Sequence, residues 1–170
     1  MPTTTSPTPR SIASDITLQA LTGLSLTSAH HAYGAYIYDT PWRYHVLLVA
    51  IPAAAVIVGS QAVVRSNPGG IRGKIARGIF LATTVALPVL AFGVFEGFYN
   101  HLVKNVLYFA GTSPAVMTRL FPPPMYEMPN NALFEISGIL QVVPAVLIVR
   151  HLVRMVRVHR PARAGLARAG

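Results

Sequence analysis

The sequence predicts an all-α integral membrane protein, a bundle of four transmembrane helices with an outer interfacial helix and loop. Only 11% of its 170 residues are charged and 52% are hydrophobic, whereas a typical soluble domain carries about 25% charged residues. Four stretches of the chain are almost free of Asp, Glu, Lys and Arg, and each approaches the roughly 20 residues that a spanning helix needs. The basic residues between these stretches favour a single orientation.

The four predicted spans are residues 16–38, 44–64, 75–97 and 131–153. The second and third are the most apolar, and the fourth contains a single acid, Glu135. The first is richer in Thr, Ser and Gly and contains His30 and His31. The predicted organisation is a disordered cytoplasmic N-terminus over residues 1–15, a bundle over 16–157 and a basic cytoplasmic tail over 158–170.

The distribution of Lys and Arg predicts the orientation of the bundle. Eleven of the fourteen basic residues lie in the N-terminus, in the connection over residues 65–77 and in the C-terminal residues from Arg150 onwards. Because basic loops stay on the cytoplasmic side, we expect a multi-pass protein of the cell membrane with both ends inside. The basic tail has no aromatic or folded module beside it, so it indicates contact with the lipid bilayer and not with nucleic acid.

Composition also excludes several classes of function. A largely hydrophobic chain with so little charge is neither a soluble enzyme domain nor a disordered segment. The absence of cysteine excludes disulfides, thiolate metal sites and cysteine nucleophiles. No nucleotide-binding loop or serine-hydrolase motif is present.

The segment after the third span predicts an excursion on the outer side. Residues 98–110 alternate between an apolar face and a polar face that includes Asn100, His101 and Lys104, which is typical of a helix lying at the membrane interface. A Pro-rich loop over residues 121–129 follows. Together they are too long for a simple turn, and we expect them to cover the bundle.

Most of the acids and histidines are predicted to lie in the outer half. These residues are Asp39, Glu96, Glu127 and Glu135 together with His30, His31, His45 and His101. A charge well inside a bilayer costs about 2.5–3.5 kcal/mol even on mild scales, so each buried acid favours a partner such as an imidazole or a metal ion.

Helical spacing predicts which faces pack together. Small or polar residues recur along the first span at Ala20, Gly23, Thr27, His30 and Gly34, as in helix–helix contacts within lipid. Gly93 and Gly97 form a similar pair beside Glu96. Because neighbouring residues point in different directions on a helix, we expect only one of His30 and His31 to face the pocket.

Two chemical interpretations of this pocket stay open. Acid–base isomerisation or cyclisation of a lipophilic small molecule would use Glu96, Glu135, His31, His101, Tyr99 and Asn131. Metal-assisted chemistry would use His30, His31, His45, His101 and Glu96, a ligand set suited to Zn, Cu or Fe. Against a metal, no recognised ligand spacing occurs on one helix.

The alternative to an enzyme is a non-catalytic accessory or transporter subunit of a membrane complex, or an oligomer. In that case the polar groups would only fix the packing of the helices, through hydrogen bonds of about 0.6 kcal/mol each.

Overall fold

The computed structural model describes residues 9–166, with side chains described for residues 12–157. Within this range every regular element is a helix, and no strand occurs among the described residues. Six helices follow one another: α1 (Pro9–Ile37), α2 (His45–Ser66), α3 (Ile71–Phe109), α4 (Pro114–Leu120), α5 (Ala132–Leu140) and α6 (Val142–Leu166). A 3-10 turn, Pro41–Tyr44, precedes α2, and only Gln141 separates α5 from α6.

Three helical segments are long and apolar enough to cross a membrane. They are Pro41–Ser66, Ile71–Phe109 and Ala132–Arg157, each longer than the roughly 20 residues that a bilayer requires. They give the chain the character of a multi-pass membrane protein. α1 has 29 residues but is more polar, because its buried side carries Thr, Gly and His residues.

The long helices pack alongside one another with alternating directions. Arg65, near the end of α2, donates from Nη2 to the hydroxyl of Ser14 near the start of α1 at 3.0 Å. At the opposite end, the Tyr38 hydroxyl donates to the Asn130 side chain just before α5. This second end, which we call the polar end, contains the end of α1, the start of α2, the second half of α3 and the start of α5.

The apolar core lies along the contact between α1, α2, α3 and α6. It is formed by side chains that are almost fully buried: Ile12, Ile16, Ala20, Leu24, Val46, Ala50, Ala53, Ile57, Phe80, Val89, Phe92 and Ile148. Many large apolar residues of α2, α3 and α6 are exposed on the outside of the bundle. This arrangement, with apolar side chains on both the inner and outer faces, is expected of helices surrounded by lipid.

The predicted packing faces of α1 and α3 are confirmed. The row of small and polar residues on α1 is buried throughout. On α3, a Cβ atom at Gly93 would collide with the side chain of Ala145, and one at Gly97 would lie 3.1 Å from the carbonyl oxygen of Gly138. The absence of side chains at these two positions therefore lets α3 approach α5 and α6 closely.

Two predicted boundaries differ from the structure. α1 begins at Pro9, so residues 9–15 are helical where the sequence predicts disorder. Residues 1–8 lie outside the described part of the chain. α6 continues to Leu166, so most of the predicted basic tail over 158–170 is helical backbone, and residues 167–170 again lie outside the described part.

The predicted interfacial helix over residues 98–110 is not a separate element. α3 runs without a break from Ile71 to Phe109, and Lys104, expected on a water-facing side, is only 2% exposed. The reason is that the polar face of this segment packs against α5 through hydrogen bonds. A further short helix, α4, lies in the excursion that follows.

Candidate functional site

Five ionisable side chains from three helices meet inside the polar end. α1 supplies His30 and His31, α3 supplies Glu96 and His101, and α5 supplies Glu135. We call these five residues the His/Glu cluster. Four of them are buried, and the side chain of Glu96 is 15% exposed. The structure thus brings together the main residues that the sequence analysis selected.

One oxygen of Glu96 lies at the centre of the cluster. The Nε2 atoms of His30, His31 and His101 lie 3.8, 3.4 and 3.5 Å from its Oε1 atom. The other oxygen, Oε2, accepts a hydrogen bond from the side-chain amide of Asn100 at 2.8 Å. A single carboxylate oxygen is therefore surrounded by three imidazole nitrogens.

Glu135 is held by three donors from α3. Its Oε2 atom is 2.8 Å from His101 Nδ1 and accepts from Asn105 Nδ2 at 2.6 Å. Its Oε1 atom accepts from Lys104 Nζ at 2.9 Å. Because a buried charge is tolerated only with such compensation, these contacts fix both the position of Glu135 and the approach of α3 to α5.

The loop between α4 and α5 is attached over the cluster through Glu127. Lys104 Nζ donates to the backbone oxygen of Glu127 at 2.6 Å, and Arg43 Nη2 lies 3.6 Å from its carboxylate. Burial, together with the nearby charge of Glu96, raises the pKa of the neighbouring Tyr126 hydroxyl. Met125, Tyr126 and Glu127 of the loop line the cavity below it, so the loop covers the site as predicted.

A cavity of about 230 Å³ lies beneath this loop. Its polar wall contains His31, Glu96, Asn100 and His101, whereas its apolar wall contains Val46, Phe92, Phe95, Met125 and Phe134. A mostly apolar lining with a few converging polar groups is typical of small-molecule sites.

The winding of α3 places Glu96 and His101 on the same side. From Val85 to Val103 the helix is a π-helix, in which each N–H bonds to the residue five positions earlier. Lys104 N–H accordingly reaches the carbonyl oxygen of Tyr99. On an α-helix, residues five apart would point about 140° away from each other. A search for α-helical ligand spacings therefore misses this pair, and π-helical turns are frequent at functional sites.

Both histidines of the adjacent pair face the cluster, so the expectation that only one could do so is wrong. The rings of His30 and His31 lie perpendicular, with centroids 5.2 Å apart. His30 stacks on Phe134 at 4.3 Å, and its Nδ1 atom lies 2.9 Å from Ser137 Oγ. Glu96 approaches both rings from another helix. Neighbouring residues on a helix point about 100° apart, but the imidazole side chains are long enough for both rings to reach the same carboxylate.

His45 lies outside the cluster, although the sequence analysis included it among the metal ligands. Its side chain is exposed, and its Nδ1 atom contacts the backbone oxygen of Trp42 at 2.6 Å. Its ring centroid is 6.5 Å from that of His31. His45 borders the cavity without approaching Glu96.

Tyr99 and Asn131 also lie away from the cluster. The Tyr99 hydroxyl donates to the carbonyl oxygen of Leu120 at 3.3 Å. The Asn131 side chain accepts the backbone N–H of Phe134 at 3.0 Å and so caps the start of α5, which is a structural role.

Sequence analysis missed several residues that support the site. Lys104 and Asn105 hold Glu135, Asn100 holds Glu96, and Ser137 holds His30. A signal for Asn100 and Lys104 was present, because both were placed on the polar face of residues 98–110. That face was assigned to water, whereas in the structure it faces α5 and the cavity.

Comparison with protein-family models, with curated proteins and with solved structures finds no match for the chain. Its function is therefore inferred from the geometry of the site.

Proposed function

We propose that the chain crosses the cell membrane four times, with both ends in the cytoplasm, and acts as an enzyme on a lipophilic small molecule at the His/Glu cluster. α1 is the fourth span in this proposal. Its 29 residues extend about 43 Å, more than the roughly 30 Å of a hydrocarbon core. Its Thr27, His30 and His31 side chains are buried against neighbouring helices, and the exposed Thr22 hydroxyl donates to the backbone oxygen of Leu18 in its own helix.

The basic residues support the orientation. The Lys and Arg residues of the 65–77 segment lie in the last turn of α2 and the first turns of α3, at the end of the bundle opposite the cluster. Under the positive-inside rule this end is cytoplasmic. The cavity then opens towards the outer side of the membrane.

The observation that carries the enzyme proposal is the cavity beside Glu96. It places the carboxylate of Glu96 and the imidazoles of His31 and His101 opposite apolar side chains such as Phe92, Phe95 and Phe134. Its volume of about 230 Å³ is below the range of about 300–1,000 Å³ for complete drug-sized ligands. We expect it to take the reacting part of a lipophilic molecule whose remainder lies along the bundle or in the bilayer.

Acid–base chemistry suits this arrangement. His101 lies between two carboxylates, Glu96 facing the cavity and Glu135 behind the ring, and a base oriented by a further group is a common catalytic pattern. Glu96 would take a proton from one position of the substrate, and the cluster would return a proton at another. Such an isomerisation or cyclisation needs no oxidant or reductant. Glu135 would act as a positioning residue for His101.

A non-catalytic subunit is the second candidate, and the environment of Glu135 favours it. Three donors from α3 satisfy this carboxylate, which is also what a purely structural link between helices requires. The two candidates make different predictions for Glu96. The enzyme depends on its carboxylate beside the cavity, whereas a structural role does not need the cavity.

The proposal is tested with membrane vesicles that contain the wild-type chain and an extract of the lipophilic molecules of its native membrane. Mass spectrometry follows each component over time. We expect one component to be converted to an isomer by the wild-type chain and at least a hundredfold more slowly by Glu96→Gln, because the amide cannot exchange a proton.

The matched control is Asp15→Asn, the same chemical exchange at an acid that is 52% exposed at the other end of the bundle. It should retain wild-type conversion. Equal conversion by Glu96→Gln, or no component converted faster than in protein-free vesicles, would contradict the proposal.

A further inference from the structure

We infer that His30, His101 and Glu96 together bind one divalent transition-metal ion. This inference rests on the proposed function and names a cofactor for the same site; with the ion bound, Glu96 is a ligand and not the free base of the metal-free route. It is carried by the distances between the three side chains and by the direction of the imidazole lone pairs.

The distances exceed those of hydrogen bonds and suit ligands that share an ion. The three Nε2 atoms lie 3.4–3.8 Å from Glu96 Oε1, whereas N–H···O bonds measure about 2.7–3.2 Å. Two ligand atoms that bind zinc tetrahedrally at 2.0–2.1 Å are about 3.4 Å apart. The ligand atoms of His30, Glu96 and His101 all lie within 4.8 Å of one another.

The contact with Glu135 determines which nitrogen of His101 can bind a metal. A carboxylate accepts hydrogen bonds, so the 2.8 Å contact places a proton on His101 Nδ1. In the neutral ring this leaves a lone pair on Nε2, directed towards Glu96. A carboxylate behind the non-ligating nitrogen is the usual support of a metal-bound histidine.

The same reasoning applies to His30 through Ser137. The Ser137 hydroxyl already donates to the backbone oxygen of Phe134 at 3.0 Å, so at 2.9 Å it accepts the Nδ1 proton of His30. His30 Nε2 therefore also carries a lone pair. Its side chain is 0% exposed, and this nitrogen has no hydrogen-bond partner within residues 12–157, whereas buried polar atoms nearly always have one.

Two imidazole nitrogens and a carboxylate oxygen that face one another are stabilised by a positive centre, which is either a proton on His101 Nε2 or a bound metal ion. The neighbouring cations are engaged elsewhere, because Lys104 pairs with Glu135 and Arg43 lies beside Glu127. Among the side chains that the structure describes, Glu96 is in contact with imidazoles and an amide and with no Lys or Arg. A bound cation would supply the missing charge.

The ligand types indicate the class of the ion. Two imidazoles and a carboxylate suit Zn²⁺, Fe²⁺ and Cu²⁺, whereas Mg²⁺ and Ca²⁺ prefer oxygen ligands. His31, Glu96 and His101 line the cavity, so the ion would be accessible to a substrate. In catalysis it would act as a Lewis acid that polarises a substrate oxygen.

The experiment measures metal content in the full chain, purified in detergent without chelators, by elemental mass spectrometry. We expect about one transition-metal ion per chain in the wild type and less than a tenth of that in His101→Ala and in Glu96→Gln. His45→Ala is the matched control, since this histidine borders the cavity outside the cluster, and it should keep the full metal content.

A second measurement guards against variants that fail to fold. Zn²⁺ added to the chelator-treated wild-type chain should raise its Tm by several degrees, and the same addition to a monodisperse His101→Ala chain should not. The inference is overturned if the wild type contains no stoichiometric metal and shows no shift with Zn²⁺, Fe²⁺ or Cu²⁺. It is equally overturned if His101→Ala and Glu96→Gln retain the metal of the wild type.

The two proposals fail in distinguishable ways. Conversion of a lipophilic component that depends on Glu96, by a chain without metal, would overturn the metal inference and leave the enzyme proposal standing. Stoichiometric metal in a chain that converts no component would overturn the enzyme proposal and leave the metal inference standing.

Discussion

Lys104 occupies a position where its charge is almost completely removed from water. It is 2% exposed, and it donates both to Glu135 and to the backbone of the covering loop. One side chain therefore ties α3 to α5 and to the loop above the cavity. Because a buried carboxylate that loses its cation becomes costly, the stability of the polar end should depend strongly on this lysine.

Replacing Lys104 by Met should destabilise the folded chain by about 3–5 kcal/mol, the range for breaking one side of a buried ion pair. Unfolding in mixed micelles with increasing denaturing detergent measures the change. Lys74→Met makes the same exchange at an exposed position and should shift the unfolding free energy by less than about 0.5 kcal/mol. Equal effects of the two substitutions would show that the Lys104–Glu135 ion pair makes no specific contribution to the free energy of unfolding.

Glu96, Glu135 and His101 could be selected from sequence, because acids and histidines in apolar stretches are costly without partners. Lys104 was placed on a polar face, but its burial and its pairing with Glu135 were missed, since hydropathy treats a lysine near a helix end as solvated. The joint approach of His30 and His31 was also missed, because it depends on a third residue, Glu96, arriving between them from another helix. Partners such as Ser137 have no sequence signature at all, being ordinary small polar residues.

The glycines of α3 determine how closely this helix approaches its neighbours. A methyl group at Gly93 would overlap the side chain of Ala145 on α6. In contrast, the space around Gly59 on α2 is open, with nothing within 4 Å of a built Cβ atom. The two positions therefore separate the effect of contact from that of helix propensity.

Gly93→Ala should destabilise the bundle by about 1–3 kcal/mol, as expected for overpacking. Gly59→Ala should stabilise it by up to about 1 kcal/mol, since alanine favours the helix. The same unfolding assay measures both. A stabilised Gly93→Ala chain would contradict the close contact between α3 and α6.

The helices differ in how far periodicity predicts them. The helical spacing of small residues predicts the buried row of α1. The same spacing rule predicts the close contact at Gly93 and Gly97. The π-winding over Val85–Val103 does not, because the rule assumes 3.6 residues per turn. The continuation of α3 to Phe109 was missed for a related reason, since its polar face was read as facing water when it faces α5.

The bundle separates its charges between its two ends. The acids and histidines of the site lie at the polar end, whereas the basic connection over residues 65–77 lies at the other. All-helical architecture and three apolar spans follow directly from composition. Composition does not determine whether α1 crosses the membrane, because this helix is more polar than the other three.

Single cysteines introduced into this cysteine-free chain report the topology without background. In intact cells a membrane-impermeant maleimide should label Ser113→Cys, in the outer excursion, but neither Ser6→Cys nor Ser66→Cys. All three should react after the membrane is made permeable. Labelling of Ser6→Cys in intact cells would show that α1 does not cross the membrane in the proposed direction.

The central claim is that the imidazoles of His30 and His101 and the carboxylate of Glu96 converge on a single position. X-ray absorption of the zinc-loaded chain tests it most directly, because the scattering pattern counts the ligands. We expect nitrogen and oxygen ligands at 2.0–2.1 Å, two of them with the outer-shell scattering of imidazole, and one imidazole fewer in His30→Ala. A zinc shell with no imidazole scattering, or one left unchanged by loss of His30, would contradict the claim.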